Sequence, residues 1–169
     1  MKVNKARSWV FFIILFLNIL NLYGCATVPK GDAFRPMNDV GDEESIIYIY
    51  WPGKSNGTDF TIIADKAPIG KLVAGSYIPF RSSKQSILLE AKLNFGFMKA
   101  GLLDVAQAKT TQLSINLTHD AKPIYVRCSP YSDTSGWNFS MPGLINQLRL
   151  IEINSYSGES EIQNCRLLQ

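Results

Sequence analysis

Between Ile46 and Trp51 the chain reads Ile-Ile-Tyr-Ile-Tyr-Trp, β-branched and aromatic throughout. Successive side chains of a strand point to opposite faces, so a run that is apolar at every position is apolar on both. Such a strand suits the centre of a sheet covered on both sides. Pro52-Gly53 ends it, and the polar stretch from Lys54 to Asp59 is a turn-forming loop.

The following segments predict more strands. Phe60, Ile62 and Ala64 share one face, and Asp65-Lys66-Ala67-Pro68 turns the chain into Ile69-Gly70-Lys71-Leu72-Val73, a β-hairpin pattern. Gly75 to Phe80 is a short extended piece, which Pro79 assigns to an edge because proline cannot donate to a ladder. Ser86 to Ala91 supplies another strand. From Leu93 to Ala108 two glycines interrupt the apolar residues, and the segment reads as a short helix or a loop covering one end of the core. Thr111 to Thr118 alternates most cleanly, with Leu113, Ile115 and Leu117 inward. After the turn at His119 to Lys122, Ile124, Val126 and Cys128 share a face while Tyr125 and Arg127 share the other. Leu148 to Ile153 is the last strand, although Leu144, Leu148 and Ile151 also match helical spacing. Glu159 to Leu168 follows as a helix, acidic near its start, with Ile162 and Cys165 facing the sheet. The expected fold is mainly β: an antiparallel β-sandwich or open barrel of about seven strands with a short C-terminal helix.

The amino end is of another kind. Lys2, Lys5 and Arg7 precede a run from Trp9 to Leu20 in which only Asn18 is strongly polar. This is the charged and then apolar layout of an export signal, too short for a comfortable span of ~20 apolar residues. Leu22-Tyr23-Gly24-Cys25 resembles the lipobox of bacterial lipoproteins, although Tyr23 is bulkier than the usual occupant. The resemblance implies that the Cys25 thiol receives a diacylglycerol before cleavage on its amino side. Several acyl chains at ~0.8 kcal/mol per buried methylene hold firmly, so lipid replaces a membrane helix as the anchor. Ala26, which is not Asp, implies sorting to the outer membrane, facing the periplasm. The expected organisation is a signal peptide over 1–24, a lipidated flexible tether over 25–44 rich in Pro, Gly, Asp and Asn, and a single β-rich domain over 45–169.

Removing 24 residues from 169 leaves 145, enough for one domain. The formal charge of +3 leaves with the signal peptide, because its three basic residues reduce 17 to 14, against 14 acidic residues. No basic excess remains to release counterions from a polyanion, so nucleic acid is not an expected partner. Of three cysteines, Cys25 takes the lipid. Cys128 and Cys165 form an even pair in an oxidising compartment, without Cys-x-x-Cys spacing. A Cys128–Cys165 disulfide pinning the helix to the sheet is the default reading, with two buried free thiols as the alternative.

Few residues suggest chemistry. Gly53-Lys54-Ser55 lacks the glycine that a phosphate-binding loop needs five residues earlier, where Tyr48 stands. His119 beside Asp120 could be half of an acid-base pair, with Ser114 or Ser129 as a nucleophile, but no nucleophile elbow accompanies them. One histidine and scattered carboxylates (Asp65, Asp104, Asp120, Asp133) give no ligand spacing for zinc or calcium. No catalytic residue, metal site or cofactor is predicted. Aromatic side chains anchor interfaces, and of Trp51, Tyr77, Tyr131, Trp137 and Phe139 the last two, in a loop of Ser, Asp, Asn and Gly, are the candidate partner-binding residues. Trp51 suits the core.

Ile47-Tyr48-Ile49-Tyr50-Trp51-Pro52, Ile69-Gly70-Lys71-Leu72 with Gly75-Ser76-Tyr77, Ile124-Tyr125-Val126-Arg127, and Leu150-Ile151-Glu152 running to Gly158-Glu159-Ser160-Glu161-Ile162 occur in this order. Together they resemble the bacterial lipoprotein family catalogued as domain of unknown function 2846. Members usually carry a Pro-Gly turn where this chain has Arg81-Ser82-Ser83-Lys84. The resemblance implies secretion, lipidation and a small β-rich domain, and transfers no catalytic residue. The expected function is a non-enzymatic binding or assembly module, held to the membrane through Cys25 and meeting an envelope protein. The alternative is an envelope hydrolase whose site is assembled from sequence-distant residues.

Overall fold

The computed structural model describes residues 30–37, 41, 43–54, 59–94, 111–118, 122–131 and 147–168. The strands are β1 (Ser45–Trp51), β2 (Asp59–Ala64), β3 (Ala67–Val73), β4 (Ser76–Ser82), β5 (Ser86–Asn94), β6 (Thr111–Asn116), β7 (Ile124–Tyr131), β8 (Gln147–Ile153) and β9 (Arg166–Leu167). Among the described residues one helix, α1 (Ser155–Ile162), lies between β8 and β9. A five-stranded sheet of order β8-β7-β1-β4-β9 faces a four-stranded sheet of order β3-β2-β5-β6, as a sandwich.

As its composition requires, β1 occupies the middle of the larger sheet, and all seven of its residues are buried. Ile47, Ile49 and Trp51 point between the sheets, where they meet Phe60, Ile62, Leu72, Leu89, Ile115, Val126, Cys128 and Leu148. The Trp51 indole meets the Phe60 ring edge to face at 5.8 Å, so Trp51 is a core residue. Ile46, Tyr48 and Tyr50 point to the outer face and build a second, aromatic core with Phe34, Tyr77, Tyr125, Ile162 and Cys165. In the smaller sheet the alternation of β2 and β5 becomes an inner buried face and a wetter outer one. The β2–β3 hairpin turns at Asp65 and Lys66, both at positive φ (47° and 73°).

Several elements depart from the sequence reading. The larger sheet is mixed, because β1–β7 and β4–β9 pair in parallel, and the described strands number nine. Arg81-Ser82-Ser83-Lys84 carries the chain from one sheet to the other, since β4 and β5 belong to different sheets. Among the described residues, β4 has a second neighbour only at its start, where β9 pairs with Ser76 and Tyr77. Pro79 sits beyond that pairing, where β4 is the edge and a missing N–H is harmless.

The helix begins four residues earlier than its acidic residues suggest. Asn154 caps it, its side chain accepting from the Ser157 amide at 3.0 Å, and Cys165 follows the helix rather than lying on it. Gly158 is inside the helix because α1 lies tight on β7: a Cβ there would stand 2.4 Å from Cβ and Cγ of Tyr125. Gly158→Ala gains ~1 kcal/mol of helix propensity, but overpacking at such contacts costs ~1–3 kcal/mol. The clash should win, giving a variant less stable by about 1 kcal/mol in urea unfolding, where a solvent-facing helical glycine would become more stable.

The segment expected to be a flexible tether belongs in part to the fold. The Leu167 amide donates to Asp32 O at 2.9 Å, Ala33 bridges antiparallel to Arg166, and Phe34 is 6% exposed. The Phe34 ring meets Tyr48 at 5.1 Å and Tyr77 at 5.3 Å, both edge to face. Further on, the Met37 amide donates to the Tyr48 hydroxyl at 2.7 Å. Residues 31–37 thus form a strap that extends the sheet beyond β9 and then crosses its outer face.

The Cys128–Cys165 disulfide is overturned as well: both are free, buried thiols. Cys128 points between the sheets with Val126, whereas Cys165 belongs to the aromatic core on the outer face. The sheet itself stands between them. The Cys165 thiol donates instead to Trp51 O at 3.8 Å. Burial raises both thiols, Cys165 to about 12 and Cys128 further.

Candidate functional site

Cys25, Trp137, Phe139, His119 and Asp120 lie outside the described residues, as do Asp104 and Asp133. Ser114 and Ser129 are described, and they do not meet. Ser114 is on the outer face of the smaller sheet opposite Leu88, and Ser129 is on the outer side of β7 opposite Arg149 in the other sheet. The whole sandwich separates them, so they cannot serve one site. Asp65 is committed to structure: its carboxylate accepts from the Leu88 amide at 2.9 Å and Lys84 Nζ at 2.6 Å. These bonds, the Leu88 amide foremost, hold its carboxyl below the ordinary value. Among the described residues no group of three or more His, Cys, Asp or Glu side chains could hold a metal ion.

Polar chemistry converges instead at Glu161, which sequence reasoning missed. From α1 its carboxylate accepts the Tyr50 hydroxyl at 3.0 Å and Arg127 Nη1 at 3.1 Å, so one side chain joins the helix to two neighbouring strands. Alternation puts Tyr50 and Arg127 on the outer face of the sheet, and the β1–β7 register sets them side by side. Burial, then the Glu161 bond, raises the Tyr50 phenol well above its ordinary range. At neutral pH it is a donor, not a base. Hydrogen bonds to a charged carboxylate are stronger than neutral ones, and this arrangement holds the helix on the sheet. Arg127 Nε is buried and has no hydrogen-bond partner among the described residues.

A second polar feature is an open cleft of about 190 Å³ where the ends of β6 and β8 meet the starts of β7 and α1. Thr118, Lys122, Pro123, Ile124, Glu152 and Ser155 line it, with Asn154, whose side chain is occupied as the helix cap. It is smaller than the roughly 300–1,000 Å³ of typical small-molecule pockets. Its mixed walls, one lysine and one glutamate among them, suit a polar peptide or side-chain contact better than enclosure of a substrate. The cleft and the Glu161 cluster are separate, the one at the strand ends and the other on the sheet face. No family model, curated protein or solved structure matches the chain.

Proposed function

We propose that this chain is a lipid-anchored domain of the cell envelope, exported by residues 1–24, acylated at Cys25 and acting as a non-enzymatic binding or assembly module for an envelope protein. The observation that carries the reading is the passage from a basic, then apolar leader into Leu22-Tyr23-Gly24-Cys25. The resemblance to the domain of unknown function 2846 family supports it, as does Ala26 for an outer-membrane address facing the periplasm. Mainly β architecture with short strands suits a module that presents a rigid surface rather than a hinged cleft. The polar side chains that converge on Glu161 are spent on holding α1 to the sheet. Trp137 and Phe139 remain the partner-binding candidates, as aromatic anchors of the kind that dominate interfaces.

The test is Cys25→Ser followed by membrane fractionation. The variant should remain unprocessed or leave the membrane fraction, and the wild-type amino terminus should carry acyl mass. A Cys25→Ser chain that is still cleaved after Gly24 and stays bound through detergent-free washing would sink the anchor. For the module, crosslinking in intact envelopes should trap one protein adduct that Trp137→Ala with Phe139→Ala removes.

A further inference from the structure

Two elements, the strap and α1, cover the outer face of the larger sheet, and the same residues of β1 set the level of both. The Met37 amide donates to the Tyr48 hydroxyl, and the Arg35 amide to that of Tyr77, which stands opposite Tyr50. On the other flank Gly158 lies against Tyr125, which stands opposite Tyr48, and Glu161 accepts from Tyr50. The strap thus runs from β4 toward β1 while α1 lies over β7. They stand side by side at the same height along the strands, with the Tyr48–Tyr125 ring contact of 5.5 Å between them. Their outward residues are of opposite kinds. Burial of Gly158 and Ile162 turns Tyr156, Glu159 and Ser160, at i, i+3 and i+4, into an exposed ridge. The helix holds Glu159 and Glu161 and no basic residue. In the strap Phe34 is turned under, and Arg35 and Met37 are exposed. The two large apolar side chains exposed among the described residues, Met37 at 38% and Tyr156 at 88%, therefore share this face, one near a positive charge and the other near a negative one. Tyrosine is a frequent interface anchor.

We propose that this face pairs two copies of the chain, strap against helix. A two-fold axis lying between the two faces, parallel to β1 and midway between strap and α1, carries each strap over the helix of the other copy. It also keeps every residue at its own height along the strands. Arg35, at the level of Tyr50, then meets Glu159 of the second copy, which lies between the levels of Tyr48 and Tyr50. Met37, at the level of Tyr48, comes down near Tyr156. An isologous contact repeats each pairing, so two Arg35–Glu159 pairs and two Met37–Tyr156 contacts close the dimer. The signs select this register, because an axis that laid strap on strap would bring like charges together. The pairing holds whether or not the chain carries a lipid.

The test is sedimentation equilibrium of the purified full chain in density-matched detergent. The wild type should sediment as a dimer that loosens as salt is added. Arg35→Glu and Glu159→Arg, each alone, set like charges opposite one another twice, and each should raise the dissociation constant by about tenfold or more. An equimolar mixture of the two variants should return to wild-type strength, since each copy then offers the charge that the other lacks. Tyr156→Ala should weaken the dimer as well, through loss of the anchor. All three positions are exposed, so the fold, followed by melting temperature, should be unchanged. A wild type that stays monomeric throughout, a dimer indifferent to both charge reversals, or a mixture no tighter than either variant alone overturns the proposal.

Discussion

Phe34→Ala should lower the melting temperature by about 10 °C, although it alters a segment whose sequence looks like a linker. Phe-to-Ala changes in well-packed sites cost ~3–5 kcal/mol, and the lower figure applies at the edge of a fold. The 6% exposed ring makes two edge-to-face contacts, at 5.1 and 5.3 Å, each worth ~0.5–1.5 kcal/mol beyond area. Losing it also uncovers Tyr48 and Tyr77 and weakens the Met37 amide bond to the Tyr48 hydroxyl. For a domain of this size ~3 kcal/mol corresponds to roughly 10 °C. A chain beginning near Ser45 should lose at least as much. Calorimetry on the Phe34→Ala and truncated domains checks this, and a shift of only a degree or two in both would show that the strap contributes little.

Phe34 was not legible because one aromatic residue among Pro, Gly, Asp and Arg makes no periodic pattern. Periodicity reports repeated burial along one element, and a strap that buries a single ring leaves no repeat. The central strand was legible for the opposite reason. Every position from Ile46 to Trp51 is apolar, and only a doubly covered strand satisfies that.

The error over the cysteines has the same root as the success with β1. A strand buried on both faces implies two cores, one on each side of its sheet. Two inward-looking thiols can then occupy different cores, and alternation along β7 places Cys128 relative to its strand without saying which core receives the chain after α1. Gly158 has a role that no sequence pattern carries. Within a sequence a helical glycine is only a weak position, whereas in three dimensions it permits the close approach of α1 to Tyr125. The Glu161 cluster left one signal that went unused: Arg127 shares the outer face of β7 with Tyr125, beside the tyrosines of β1, and a cation there calls for an acidic partner from the covering element.

The same aromatic core makes alkaline pH the most destructive mild condition for this domain. Burial raises the phenols of Tyr48, Tyr50, Tyr77 and Tyr125 above their ordinary 10.0, Tyr125 to about 12. Strap amides partly oppose the rise at Tyr48 and Tyr77, while the Glu161 bond adds to it at Tyr50. Burial likewise raises Cys128 and Cys165 from 9.0. For every one of these groups the unfolded chain releases its proton first. Their contribution to stability is therefore complete below pH 9 and declines as pH rises, through the thiols first and then, above pH 10, through the phenols as well. Each group that has ionised in the unfolded chain but not in the native one removes roughly 1.4 kcal/mol per pH unit. The two phenols raised furthest, Tyr50 and Tyr125, together remove about 3 kcal/mol per unit, a large part of the stability of an ordinary domain, and Tyr48 and Tyr77 act in the same direction. Cooperative unfolding should follow about one pH unit above the phenol range, with tyrosinate absorbance appearing in step with loss of β-sheet circular dichroism rather than before it. Tyr50→Phe should make the decline shallower, because one titrating group is gone, while weakening the domain at neutral pH through loss of the bond to Glu161. Urea midpoints that stay level from neutral pH to above the phenol range, or tyrosinate forming in the folded protein at the ordinary value, would mean that these hydroxyls are open to solvent and that the outer face of the sheet is not a core.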